Sequence, residues 1–128
     1  MRILVLEDDE NRQEWFLKRF WQETVDIATS ASNAIEMLKR SKYAVIFLDH
    51  DLEYQHYGSD SRDDSNTGYA VASWLAENAR LQPFAQVIVH SVNPSGAPRM
   101  VSALSRTHFR AQHVPFVRLR ETRIGLTA

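Results

Sequence analysis

Short, continuous apolar runs alternate along this chain with longer segments whose apolar residues recur at helical spacing, the pattern of a parallel sheet covered on both faces by helices. Ile3 to Leu6 reads as a first buried strand, followed by a helix from Asn11 to Glu23 that turns Phe16, Leu17, Phe20 and Trp21 inward. Val25 and Ile27 suggest a short edge strand. Ala31, Ala34, Ile35 and Leu38 stand at i, i+3, i+4 and i+7, predicting a second helix capped by Ser30 or Ser32 and closed by Lys39 and Arg40. Tyr43 to Leu48, the most hydrophobic run, predicts a central strand. Val71, Trp74 and Leu75 mark a third helix, Val87 to Val89 a fourth strand, and Met100, Val101 and Leu104 a fourth helix. Phe116, Val117 and Leu119 suggest a weaker fifth strand, after which too few residues remain for a closing helix.

These elements predict one α/β domain over residues 1–128: three layers in the flavodoxin-like manner, with five parallel strands in the order 2-1-3-4-5 and the fifth helix absent. Residues 53–67, EYQHYGSDSRDDSNT, are too polar for a buried element and long for a βα connection, so they read as an inserted loop beside a site. Residues 120–128 read as a short tail.

Composition narrows the chemistry. The chain has no Cys, which excludes disulfides, thiolate zinc and a cysteine nucleophile. A net charge of −1 argues against a general duplex-DNA binder. It hides an asymmetry: nine basic against fifteen acidic residues through residue 96, or −6, then six against one, or +5. No apolar run approaches the ~20 residues a membrane helix needs, and the N-terminus does not read as a signal peptide, so the expectation is a cytoplasmic, unprocessed protein without membrane contact.

The candidate chemistry gathers where the strands end, the place where open α/β sheets bind ligands. Strand one runs into Glu7-Asp8-Asp9-Glu10, strand three into Asp49-His50-Asp51, strand four into His90-Ser91-Val92-Asn93. Carboxylates gathered there repel one another unless a cation neutralises them, and hard oxygen ligands favour Mg²⁺ or Mn²⁺. Asp8, Asp9 and Asp49 are the candidate ligands. Asp60, Asp63 and Asp64 lack the Gly and closing Glu of an EF-hand.

ILVLEDDE, YAVIFLDHDL and VIVHS together resemble the response-regulator receiver domain over roughly residues 1–119. The resemblance implies Mg²⁺ at the acidic pair Asp8 and Asp9, Asp49 as phosphoacceptor and Ser91 as the hydroxyl ending strand four. The departures are several. Receivers place Lys-Pro after strand five, whereas Phe116 to Glu121 carries no Lys. They are apolar where His50 and His90 stand, and compact where residues 53–67 stand. With LDHDL and HS-x-N, the chain is similar to a divergent branch known as cyclic-phosphate-processing receivers.

That resemblance implies opening of a cyclic phosphate on a small nucleotide or an RNA end, chemistry that needs a base, an acid and a positively charged hold on the phosphate. His50 and His90 are the candidate acid/base pair, and Asp51 either orients an imidazole or starts a turn. If Asp49 and Ser91 point into the crevice, strand alternation puts the two histidines together on the other face with Cα atoms about 8 Å apart. Ser91, Asn93, Arg118 and Arg120 are the candidate phosphate contacts, with backbone N–H groups of Asn93 to Gly96 beside them. His56, His108 and His113 read as surface residues. Two other readings stay open: a signalling receiver phosphorylated on Asp49, and a non-catalytic interaction module that dimerises through a surface left uncovered by the missing helix.

Overall fold

The computed structural model describes residues 1–52 and 65–121. Strands β1 (Arg2–Leu6), β2 (Thr24–Ala28), β3 (Val45–Leu48), β4 (Gln86–Val89) and β5 (Arg110–His113) form one parallel sheet in the order β2-β1-β3-β4-β5. Helices α1 (Glu10–Arg19), α2 (Ala31–Arg40), α3 (Gly68–Glu77), α4 (Gly96–Leu104) and the single turn α5 (Phe116–Leu119) complete the receiver-like, flavodoxin-like arrangement. Among the described residues no helix is long and apolar enough to cross a membrane.

Side-chain alternation divides the core in two. Leu4, Leu6, Ile46, Leu48, Val87 and Val89 pack against α2, α3 and α4, while Ile3, Val5, Val45, Phe47 and Ile88 pack against Phe16, Phe20 and Leu119 on the side of α1 and α5. The register of β3 on β4, Leu48 beside Val89, sets the next residues in step, so that Asp49 comes beside His90.

Helix starts follow capping chemistry. Asp9 accepts from the backbone of Asn11 and Arg12 at 2.8 and 3.1 Å and so opens α1. Ser30, not Ser32, caps α2, and Thr67 caps α3. Asn93 Oδ1 accepts from Ser95 N and Gly96 N at 3.0 and 2.8 Å, so the first turn of α4 is held by a residue two positions before its cap.

Three expectations are corrected. The first helix ends at Arg19, four residues early, leaving Leu17 and Trp21 46 % and 75 % exposed, and Trp15 takes the inward place against Phe16 and Phe116. The fifth strand is Arg110–His113, not Phe116 to Leu119. It is an edge strand of polar residues, so it carries no apolar run. The run at 116–119 comes after Pro115 as one helical turn, with Phe116 partly buried and Leu119 buried three residues on. A fifth helix is thus present, as that single turn. Of the polar segment 53–67, residues 53–64 lie outside the described residues, as do His56, Asp60, Asp63, Asp64 and most of the tail.

Candidate functional site at the carboxyl end of the sheet

β1, β3 and β4 end side by side, and the residue after each carries the chemistry. Glu7 continues the alternation of Ile3 and Val5, so its side chain turns toward α1; Asp49 and His90 turn to the same side. All three are buried. One ligand atom from each lies within 4.8 Å of the others. His90 Nε2 stands 2.9 Å from Glu7 Oε1, and the imidazole packs edge-on against Phe16, 5.2 Å between ring centres. Asp9 N donates to Glu7 Oε2 at 3.1 Å and His50 N to Asp49 Oδ1 at 2.9 Å.

Burial governs the protons here. It pushes Glu7 up to about 7, against hydrogen bonding from Asp9 N and the charge of Arg12. It pushes Asp49 up to about 7 as well, with the neighbouring Glu7 charge adding to the rise. Asp8, half-buried beside them, is raised for the same reason, and His90 is pushed down to about 4. Each shift disfavours a charge that protein alone does not compensate. Among the described residues, Asp49 Oδ2, Asp8 Oδ1 and His90 Nδ1 are moreover buried without a hydrogen-bond partner.

These observations fit a divalent cation. Ligand oxygens around octahedral Mg²⁺ or Mn²⁺ stand about 3 to 4 Å apart, so a spread of at most 4.8 Å needs only a small closure. Two carboxylates and an imidazole would hold it, with Asp8 at the rim. Of the residues read in the sequence as ligands, Asp49 belongs to this cluster, Asp8 stands at its rim, and Asp9 has its Oδ1 in the α1 cap; Glu7 and His90 complete the cluster.

The candidate histidines do not share a face. His90 belongs with Asp49 and Glu7. His50 turns to the opposite side, beneath the start of α4, where a Cβ on Gly96 would come within 2.6 Å of its ring. The parity error came from the offset between strands: residue 48 pairs with 89, so odd positions of β3 share a face with even positions of β4. His50 Nδ1 bonds Asp51 Oδ1 at 2.9 Å, and Asn93 Nδ2 donates to the same oxygen at 3.0 Å, so Asp51 does orient an imidazole. Ser91 Oγ accepts from Asn93 N at 3.0 Å. Ser91, Asn93, His50 and Asp51 form a buried network behind the strand ends.

Arg118 and Arg120 lie exposed on and just after α5. Among the described residues the arginine within ion-pair distance of these carboxylates is Arg12, absent from the sequence candidates, with Nη1 3.8 Å from Glu7 Oε1 and 3.9 Å from Asp49 Oδ2. Its position in the first turn of α1, close behind the acidic end of β1, was the available signal. His108 and His113 are exposed, bonding the carbonyls of Gln82 and Ser91.

A profile of the family described as the cyclic-phosphate processing receiver domain matches residues 2–106. No curated protein sequence matches significantly. Among solved structures, the chain is similar to the response regulator TrrA of Thermotoga maritima in complex with Mg²⁺-BeF, at 20 % identity and TM-score 0.63, covering 94 % of this chain and 93 % of that one. It is similar to the receiver domain of a Luxo repressor protein of Vibrio parahaemolyticus at 18 % identity and TM-score 0.63, covering 94 % and 84 %. A third is a response regulator of Burkholderia pseudomallei with a phosphorylated aspartic acid, calcium ion and citrate, at 18 % identity and TM-score 0.60. There the match covers 88 % of this chain but 58 % of the other. At these identities the neighbours establish the fold.

Proposed function

From the premise that this chain belongs to the cyclic-phosphate processing receiver domain family, we propose that the carboxyl end of its sheet is a metal-assisted phosphoesterase site opening the cyclic phosphate of a small nucleotide or an RNA end. The observation that carries this reading is the buried cluster of Glu7, Asp49 and His90, whose ligand atoms lie within 4.8 Å of one another beside the Arg12 guanidinium.

Ring opening forms one bond from a water oxygen to phosphorus and breaks one of the two ester P–O bonds, leaving a phosphomonoester. Glu7, Asp49 and His90 would hold a Mg²⁺ or Mn²⁺ ion, which would supply Lewis-acid polarisation of the phosphate and a more acidic water. The protein's own part is proton handling and exclusion of water. Asp8, at the rim with Oδ1 unpartnered and its pKa raised by burial, accepts the water's proton and returns it to the departing sugar oxygen. His90, held neutral by burial, serves as ligand rather than acid. Phe16 and Phe47 behind it keep the floor dry. His50, Asp51 and Asn93 take a supporting role, fixing the end of β3 to the start of α4.

The test is a panel of 2′,3′- and 3′,5′-cyclic nucleotides and a cyclic-phosphate-ended oligoribonucleotide, with Mg²⁺ or Mn²⁺, products read by mass. Turnover should be lost in Asp49→Asn and His90→Ala. No turnover by the wild type with either ion sinks the enzyme reading.

A second reading is favoured by Asp49 Oδ2, a buried oxygen without a partner at the end of the central strand. It would attack the phosphorus of a phosphodonor as receivers' aspartates do, giving an acyl phosphate. Acetyl phosphate with Mg²⁺ would then leave a phosphoryl adduct in intact mass that Asp49→Asn abolishes, acetate departing.

A further inference from the structure

Among the described residues, the cluster has two carboxyl groups, with Asp8 at its rim, and one arginine within ion-pair reach, and how that cation is held points to its use. Arg12 is the third residue of α1, and its guanidinium reaches back over the strand ends. Its contacts to Glu7 and Asp49, at 3.8 and 3.9 Å, are about 1 Å longer than the charge-assisted hydrogen bonds that a fork and a carboxylate make when they engage. The pairing is therefore electrostatic and loose, with its N–H directions uncommitted to those two carboxylates. On its other side the guanidinium carbon lies 5.3 Å from the centre of the Phe116 ring, a distance at which a ring face attracts and orients a planar cation. The side chain remains 27 % exposed, so a ligand can approach it from solvent.

Phe116 sits there because of the corrected end of the sheet. After β5 the chain runs Val114-Pro115-Phe116, so the proline expected after strand five is present, but the residue before it is Val114 instead of lysine. The last lysine in the sequence is Lys42. A positive charge directed at the site thus comes from α1, and the helical turn α5 supplies its platform.

We infer that Arg12, propped on Phe116, is the phosphate-binding residue of this site, gripping two oxygens of the phosphate once a divalent cation has taken over its carboxylate partners. The inference rests on the site's being a phosphate site, as proposed above. It adds which side chain recognises the anion. A bound cation would weaken the attraction that draws the guanidinium down to Glu7 and Asp49, while the contact with Phe116 would remain. Two parallel N–H donors then match two phosphate oxygens, a geometry an ammonium cannot reproduce.

Calorimetry on the full chain separates this role from a structural one, titrating Mn²⁺ first and inorganic phosphate second. In Arg12→Ala, Mn²⁺ should bind as tightly as in the wild type or more tightly, because a competing cation is gone, while phosphate affinity falls about tenfold to a hundredfold. Arg12→Lys should recover only part of the phosphate affinity. Phe116→Leu should weaken phosphate severalfold and leave Mn²⁺ binding unchanged. The inference is overturned if Arg12→Ala binds phosphate like the wild type, if phosphate and Mn²⁺ affinity fall together, or if the Mn²⁺-loaded wild type binds no phosphate. If phosphate binds through Arg12 but no cyclic nucleotide turns over, the enzyme reading fails and the role of Arg12 stands.

Discussion

Glu7 shows how one residue's address decides its chemistry. Four acids in a row come after β1, and the strand period assigns them different work: Glu7 shares the face of Ile3 and Val5 and goes under cover, while Asp9, two residues on, caps α1. The acidic pair Asp8 and Asp9 read in the sequence leaves out Glu7, the acid of the run that joins the buried cluster. Parity with Val5 was the signal that located Glu7. Glu7→Gln should cost at least about tenfold in Mn²⁺ affinity by calorimetry, and in metal-free protein at pH 8 it should raise the melting temperature, because a costly buried charge is gone. His50 makes the complementary case. Its ring lies where a Cβ on Gly96 would stand, 2.6 Å away. Gly96→Ala should therefore destabilise the fold by about 1 to 3 kcal/mol in urea unfolding and leave Mn²⁺ affinity intact, since the metal candidates lie on the other face. A parallel loss of Mn²⁺ affinity would contradict that separation.

Among the elements, the end of the sheet offers the sharpest contrast between strand and helix. In a strand Val117 and Leu119 would share a face, whereas in a helical turn Phe116 and Leu119 do. Val117 is 59 % exposed and Leu119 is buried. Leu119→Ala should cost about 2 to 5 kcal/mol in urea unfolding, and Val117→Ala should stay within about 0.5 kcal/mol; equal losses would mean that the segment is extended. The first four strands and the first four helices were legible in the sequence because their apolar spacing is regular, as at Ala31, Ala34 and Leu38 of α2. β5 was not, since an edge strand of Arg, Ala, Gln and His presents little apolar periodicity. Where α1 stops was equally hidden, because Trp21 continues the helical spacing past the point where the chain turns at Phe20. Of the site, Asp49 and His90 were visible as polar ends of apolar strands. Their partnership was not, because it depends on the offset between β3 and β4, which composition and local spacing do not contain.

At the scale of the whole molecule the buried cluster sets how stability varies with pH. Glu7 and Asp49 titrate near 7 in the fold, against ordinary values of 4.5 and 3.8, and His90 near 4 against 6.5. Between about pH 4.5 and 6.5 the folded chain holds two carboxyl protons that the unfolded chain has lost, and lacks one imidazole proton that the unfolded chain keeps. The folded side therefore holds more protons, so stability falls as pH rises there. The fall steepens as His90 drops out of the balance near 6.5 and ends above 7. Metal-free protein should therefore melt higher at pH 5 than at pH 8, and Mn²⁺ should raise the melting temperature more at pH 8, where it meets carboxylates rather than carboxylic acids. A metal-free melting temperature that climbs from pH 5 to pH 8 would contradict this proton balance. The register of β3 against β4 carries a further consequence for anyone who edits this gene. Deleting one residue inside β4 would bring every later side chain of the strand to the opposite layer, sending the imidazole of His90 away from Asp49 and offering Ser91 in its place; deleting two would keep the faces but draw His90 two positions back along the strand, about 6.6 Å from its place beside Asp49, and bring Val92 there. Both deletions thus dismantle the cluster, one by face and one by position along the strand, even though neither touches a carboxylate.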